Sequence, residues 1–167
     1  KFYFERYISA HAIMISFEGV PAVYFNSLFG TSNDEAKYII TGNNRDINRY
    51  RWNHKVILNY LKNSKSKQSI FYKNLTNLLS IRTKQKAFHP NAPRTTFNMG
   101  SKIFCFQRTS IDKKQTIICV TNLSSKAQYL LLKKKFRSLK NLINQKVHIS
   151  NKKRLKLEPF QTVWLSN

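Results

Sequence analysis

The stretch Gly19-Val-Pro-Ala-Val-Tyr-Phe-Asn-Ser-Leu-Phe-Gly30 constrains this chain more than any other. Val20 to Phe25 is an apolar run too short for a globular helix, entered through Gly19 and Pro21. A continuous apolar run of that length is the pattern of a strand covered on both faces, as parallel strands are. Pro21 near its start needs no ladder donor. An apolar helical segment, residues 3 to 17, precedes it, and a long polar connection, residues 26 to 51, follows. Helix, buried parallel-type strand and long loop is the order of the last βα unit of a (β/α)8 barrel. Connections of that length in compact domains usually bind something.

Two helices are expected next, over 53–63 and 69–86, with Ser64 to Lys67 as the break. In the second, Phe71, Leu75, Leu78, Leu79 and Arg82 keep one face toward a core. A short helix is expected inside the loop, opened by Ser32 or Asn33 and followed by acidic Asp34 and Glu35. His89-Pro-Asn-Ala-Pro93 ends the helical part, since two prolines in five residues cannot extend a helix. Beyond it come short apolar runs at 102–109, 116–122 and 128–132, near Val147 and Leu155, and at 161–165, with Ile111 to Gln115 as a hairpin connection. That spacing predicts a small antiparallel β-sandwich. The expected fold class is therefore α/β plus all-β: barrel end over 1–88, with strand 20–25 and active-site loop 26–51, a linker at 89–93, and an antiparallel β domain over 94–167.

Thirty Lys and Arg against seven Asp and Glu give a formal charge of +23. Such an excess raises nucleic-acid binding as one reading. The densest runs, Lys133 to Arg137 and Lys152 to Lys156, match no recognition motif, and the remaining charge is spread among Asn, Ile and Ser. Lys, Asn and Ile share A/T-rich codons, so a biased genome accounts for the drift, and no specific nucleic-acid partner is expected. No apolar run reaches the length of a membrane span, and residues 1–6 lack the order of a signal peptide. A cytoplasmic chain without membrane contact is expected. Cys105 and Cys119 lack CxxC spacing and read as reduced, buried small hydrophobes. His11, His54, His89 and His148 are too scattered for a zinc cluster, so neither metal nor cofactor is expected.

Gly19 to Phe25 resembles the eighth barrel strand of the α-amylase superfamily of glycoside hydrolases, where Gly-hydrophobic-Pro-x-hydrophobic-Tyr-Tyr/Phe recurs. Asn26-Ser-Leu-Phe-Gly30, Asn33-Asp34 and Arg45-Asp-Ile-Asn-Arg49 are similar to its sucrose phosphorylase-like branch, which includes enzymes acting on glucosylglycerate. Ile81 to Pro93 resembles the helix end and linker before that branch's C-terminal β domain, and Leu157 to Leu165 its final strand. The resemblance implies the C-terminal part of an enzyme. It would carry out retaining phosphorolysis of sucrose or a related α-glucoside to α-glucose 1-phosphate. Its partners would be the glucoside and inorganic phosphate, with homo-oligomers of the full-length parent allowed.

Such chemistry needs a carboxylate nucleophile and a carboxylic acid about 5 Å apart. In the family these lie on earlier barrel strands, so no catalytic residue is assigned here, and the chain alone is expected to be inactive. The family's Arg-x-Ile-Asn-Arg motif falls on Arg45, Asn48 and Arg49, which implies guanidinium contact with phosphate or the acceptor sugar. The sequence does not decide between the two arginines, and each could instead pair with Asp34 or Asp46. Asn26 and Ser27, just past the strand, are further candidates for the pocket wall. Tyr24 and Phe25 are expected in the barrel core, and Trp164 and Phe160 in the β core. A basic nucleic-acid-binding protein and a non-catalytic carbohydrate-binding β module are the alternative functions.

Overall fold

A computed structural model describes residues 1–131, 139–143 and 154–167. The basic run 133–137, Lys152 and Lys153, and the strand expected near Val147 lie outside the described residues. The chain forms two compact units, Lys1–Pro21 with Asn77–Asn167, and Ala22–Thr76.

In the first unit, helix α1 (Tyr3–Ser16) buries Ser9, Ala12, Ile15 and Ser16. The β region comprises β1 (Arg94–Asn98), β2 (Ile103–Thr109), β3 (Thr116–Asn122), β4 (Gln128–Leu131), β5 (Lys140–Asn141), β6 (Arg154–Leu157) and β7 (Thr162–Ser166). Its strands make a five-stranded sheet in the order β1-β2-β3-β7-β5 and a two-stranded sheet β4-β6, all pairs antiparallel. Residues from both sheets share one core: Ile103, Cys105, Ile118, Val120, Val163 and Leu165 from the larger, Leu130, Leu155 and Leu157 from the smaller. The expected runs at 102–109, 116–122 and 161–165 thus appear as antiparallel strands β2, β3 and β7.

Alternation along the strands sends the other side chains to the opposite face of the larger sheet. There Phe106, Arg108, Cys119 and Trp164 sit side by side across β2, β3 and β7. Phe17 covers Phe106 edge-on, with centroids 5.4 Å apart, and Phe88 covers Trp164 at 4.8 Å. Trp164 is core, as expected, whereas Phe160 is half-buried against Phe2. The two cysteines lie on paired strands but on opposite faces, both free and buried, and burial pushes the Cys105 thiol up to about 11.

Two arginines hold this face together. Arg108 is 0% exposed and donates to the carbonyls of Ser16 (2.7 Å), His89 (2.8 Å) and Ala92 (3.0 Å). Arg82 donates to the carbonyls of Ile15, Phe17 and Gly19. Carbonyls at and just past a helix C-terminus have no intrahelical partner and carry partial negative charge, which suits a guanidinium. Burial lowers the pKa of both groups, yet six carbonyl contacts stand in for a carboxylate. Outside this pair, Arg94 donates to Glu18 at 2.9 Å with its guanidinium over the Phe17 ring.

The second unit is helical: α2 (Phe25–Leu28), α3 (Glu35–Thr41), a 3-10 turn (Asn44–Asn48), α4 (His54–Lys62) and the first part of α5 (Lys67–Thr83), which runs on into the first unit's sequence. Side-chain caps set the starts. Asp34 accepts from the amide of Lys37, Asn43 from that of Arg45, and Asn53 from those of Lys55 and Val56. Asp34, rather than Ser32 or Asn33, therefore opens the loop helix. Trp52 lies near Phe29, Tyr50 and Tyr60, and Tyr72 stacks on Phe29 at 5.7 Å. Gly30, at φ +57°, brings its backbone onto Phe71, where a Cβ would come within 2.6 Å of the ring.

One expectation is corrected. Val20 to Phe25 is not a strand: residues 20–24 join no ladder, and Phe25 opens α2. A strand exists only through its neighbours, and the described residues contain no parallel pair. The run is accordingly uncovered, with Val20 82% exposed and Tyr24 and Phe25 over half exposed, not core.

Candidate substrate-binding site

The loop between α3 and α4 is folded back on itself, and this shapes the site. The amide of Asp34 donates to the carbonyl of Ile47 at 2.7 Å, closing the loop behind α3. Asp46 accepts an ion pair from Lys37 at 3.0 Å. The hydrogen bond from Lys37, then one from Thr41, holds the Asp46 carboxyl below the usual carboxylate range, with smaller help from the charges of Lys37 and Arg49. The acidic residue of the motif is thus engaged by a lysine.

In a 3-10 turn residues three apart eclipse one another. Asn44–Asn48 therefore puts Arg45 and Asn48 on one side, with Arg49 next to them. These three, with Asn44 and Tyr24, line a cleft of about 370 Å³. Arg45 and Arg49 are exposed and make no ion pair among the described residues, so both guanidiniums keep their donors for a ligand, with only the nearby charge of Asp46 acting on Arg49. Two guanidiniums beside a primary amide and a phenol can grip an oxyanion or a hydroxyl-rich ligand through charge-assisted hydrogen bonds. With no carboxylate among its lining residues, the cleft can bind and orient but has no general acid or base of that class.

Of the sequence candidates, Arg45, Asn48 and Arg49 are brought together and Asn26 and Ser27 are not in the wall. Asn26 is 6% exposed and donates its side-chain amide to the carbonyls of Asn48 (3.3 Å) and Tyr50 (3.0 Å). Tyr24 and Asn44 are the lining residues that sequence reasoning missed. The apolar run hid Tyr24, whose side on the chain could be known only once 20–24 left the core. His89 serves a turn: its Nδ1 accepts from the amide of Asn91 and its carbonyl from Arg108.

A larger groove of about 830 Å³ lies in the first unit, between Val20, Pro21, Leu79, Phe88 and Ile111. Its walls are mostly apolar, and the donors of Arg82 within it are already spent on carbonyls, so its size does not make it the better candidate. No group of three or more His, Cys, Asp or Glu able to hold a metal occurs among the described residues. None of the described helices is long and apolar enough to cross a membrane.

No protein-family model matches the chain. Curated proteins do. It is 31% identical over 163 residues to glucosylglycerate phosphorylase of Escherichia coli K12, covering 96% of this chain and 28% of that protein. It is 28% identical over 160 residues to the glucosylglycerate phosphorylase of Allomeiothermus silvanus, covering 96% of this chain and 26% of that one. The chain thus spans under a third of the length of these relatives. Among solved structures, the AmyP E221Q variant with maltotriose superposes with a TM-score of 0.75 at 18% identity, over 98% of this chain and 35% of that one. Trehalulose synthase MutB of Pseudomonas mesoacidophila MX-45 gives 0.68 at 15% identity, over 97% and 38%. At such identities the likeness is one of fold.

Proposed function

The chain belongs to the sucrose phosphorylase-like branch of the α-amylase superfamily, and on that premise we propose that it is the C-terminal part of an α-glucoside phosphorylase. The parent performs retaining phosphorolysis of glucosylglycerate, sucrose or a related α-glucoside to α-glucose 1-phosphate. Residues 1–88 complete its (β/α)8 barrel, 89–93 link, and 94–167 are the β domain. In that setting the exposed side chains of Val20 and Phe25 gain cover from the rest of the parent. The described residues supply no carboxylate pair at the cleft, so the chain alone is inactive.

The observation that carries the reading is the arginine cleft. Arg45 and Arg49, four residues apart on one turn and without an ion pair among the described residues, face the same space as Asn48 and Tyr24. In this reading one guanidinium takes the incoming phosphate or the acceptor, and it stays charged at any working pH. Asn48 and Asn44 offer hydrogen bonds to sugar hydroxyls. The nucleophile and the acid come from elsewhere in the parent.

The test is a chimera in which this chain replaces the matching segment of the E. coli glucosylglycerate phosphorylase. The expected result is α-glucose 1-phosphate formed from glucosylglycerate and phosphate, lost on Arg45→Met or Arg49→Met. A folded chimera that releases only glucose, or turnover by the isolated chain at the parent's rate, overturns the reading.

A further inference from the structure

We propose that Asn26 and Tyr24 are the positioning residues of the arginine cleft, fixing where Arg45 and Arg49 point by holding the Asn48 carbonyl. The proposal deepens the reading above and rests on it for the identity of the ligand. Asn26 is buried, and its side-chain amide spans the exit of the 3-10 turn, donating to Asn48 at 3.3 Å and to Tyr50 at 3.0 Å. Tyr24 donates its hydroxyl to the same Asn48 carbonyl, also at 3.3 Å. Asn48 thus accepts from two side chains twenty-two and twenty-four residues upstream, and it sits between the two arginines of the motif.

The chemistry requires a donor at position 26. Both of its contacts are carbonyl oxygens, so an acceptor of the same shape would face two acceptors. The Asn26 Oδ1, by contrast, is buried without a partner. An apolar side chain would remove that orphan, yet asparagine stands here, which is consistent with the value of its other end. The α2 segment provides the rigid base: the Ser27 amide donates to Tyr24, and the Phe29 and Thr31 amides both donate to the Asn26 carbonyl. The backbone of Asn26 is therefore fixed, and its side chain transmits that fixity to the turn. Tyr24 has a second role, since its ring also walls the cleft. Sites in which binding groups are locked by a supporting layer lose affinity when the support goes, although the ligand never touches it.

The experiment uses the full chain with ¹⁵N-labelled arginine, observing the side-chain Nε–Hε resonances with and without inorganic phosphate. Asn26→Asp is expected to move the Arg45 and Arg49 resonances toward unstructured positions before any phosphate is added. It is also expected to weaken phosphate at least tenfold, while Arg82 and Arg108, in the other unit, keep theirs. Tyr24→Phe, which keeps the ring, is expected to shift the same two resonances and weaken phosphate about threefold. Should Asn26→Asp unfold the chain, shown by loss of the Arg82 and Arg108 positions, Tyr24→Phe decides alone. Resonances of Arg45 and Arg49 that superimpose on those of the unaltered chain, with affinity within twofold, overturn the proposal. If the unaltered chain binds no phosphate, the functional reading fails by itself, and the phosphate-free resonances still decide whether Asn26 and Tyr24 position the arginines.

Discussion

Two pairs of arginines serve opposite ends in this molecule. Arg82 and Arg108 are buried in the first unit, and their terminal nitrogens donate to six backbone carbonyls and to no carboxylate. Arg45 and Arg49 are exposed in the second, on one short turn, and nothing among the described residues pairs with them. The same side chain is a structural rivet where backbone carbonyls take its terminal nitrogens, although the Arg108 Nε stays buried without a partner, and a ligand-seeking group where its fork is left open. What the terminal nitrogens meet, not residue type or local charge density, separates the two. By that measure the overall charge of +23 says little about function, because it counts both pairs alike.

The comparison breaks most visibly at Arg108. Arg108→Met should cost on the order of 3 kcal/mol or more in chemical denaturation, because it strands the buried Ser16 and Ala92 carbonyls. Arg108→Lys should recover little, since an ammonium lacks the planar fork that reaches three acceptors. A loss below 1 kcal/mol would show that Arg108 is no rivet.

Next comes the base of the cleft unit. Gly30→Ala meets both a positive φ and the Phe71 ring at 2.6 Å, and a loss of about 2–4 kcal/mol is expected. Gly42→Ala has a similar φ but open space, so about 1 kcal/mol is expected there. Equal losses at the two sites would remove packing from the explanation. Smaller in stability, though not in binding, are Arg45→Met and Arg49→Met. Each should leave the denaturation midpoint within about 0.5 kcal/mol and lower phosphate affinity roughly 10- to 100-fold, the worth of a charged hydrogen bond.

The smallest expected effect concerns a carboxylate. Asp112 is held down to about 2, first by the Ser110 hydroxyl, then by the Lys114 amide, with Lys86 adding less. Its folded pKa lies below the unfolded one, so its contribution is present above the ordinary carboxylate range and lost as pH falls toward 2. Ser110→Ala should raise the Asp112 titration midpoint measured by carboxyl NMR. An unchanged midpoint would assign the shift to other donors.

Much of this was legible from local rules. The periodicity of α5 is a sequence property, and Arg82 kept step with Phe71, Leu75 and Leu78 on its buried face. The β2–β3 hairpin was visible because its loop, Ser110 to Gln115, carries its own hydrogen-bonding residues. Val20 to Phe25 was misread because an apolar run states a wish for cover and not which partner provides it. Arg108 was invisible as a rivet, since its acceptors lie 16 to 92 residues away. The motif residues Arg45, Asn48 and Arg49 were found by pattern, whereas the support of Asn26 needed the fold, because a donor aimed at carbonyls leaves no periodic trace.

The position of β7 between β3 and β5 has a consequence for how the chain is made. Along the order of synthesis, β1, β2 and β3 precede β7, so the neighbour that completes β3 is not translated until residues 162–166. A ribosome paused anywhere between 123 and 161 would hold out a sheet whose inner edge, lined by Ile118 and Val120, is bare. Unpaired edges of that kind recruit other chains. A chain that ends between β3 and β7 therefore keeps that edge open, and aggregation rather than folding is its expected fate.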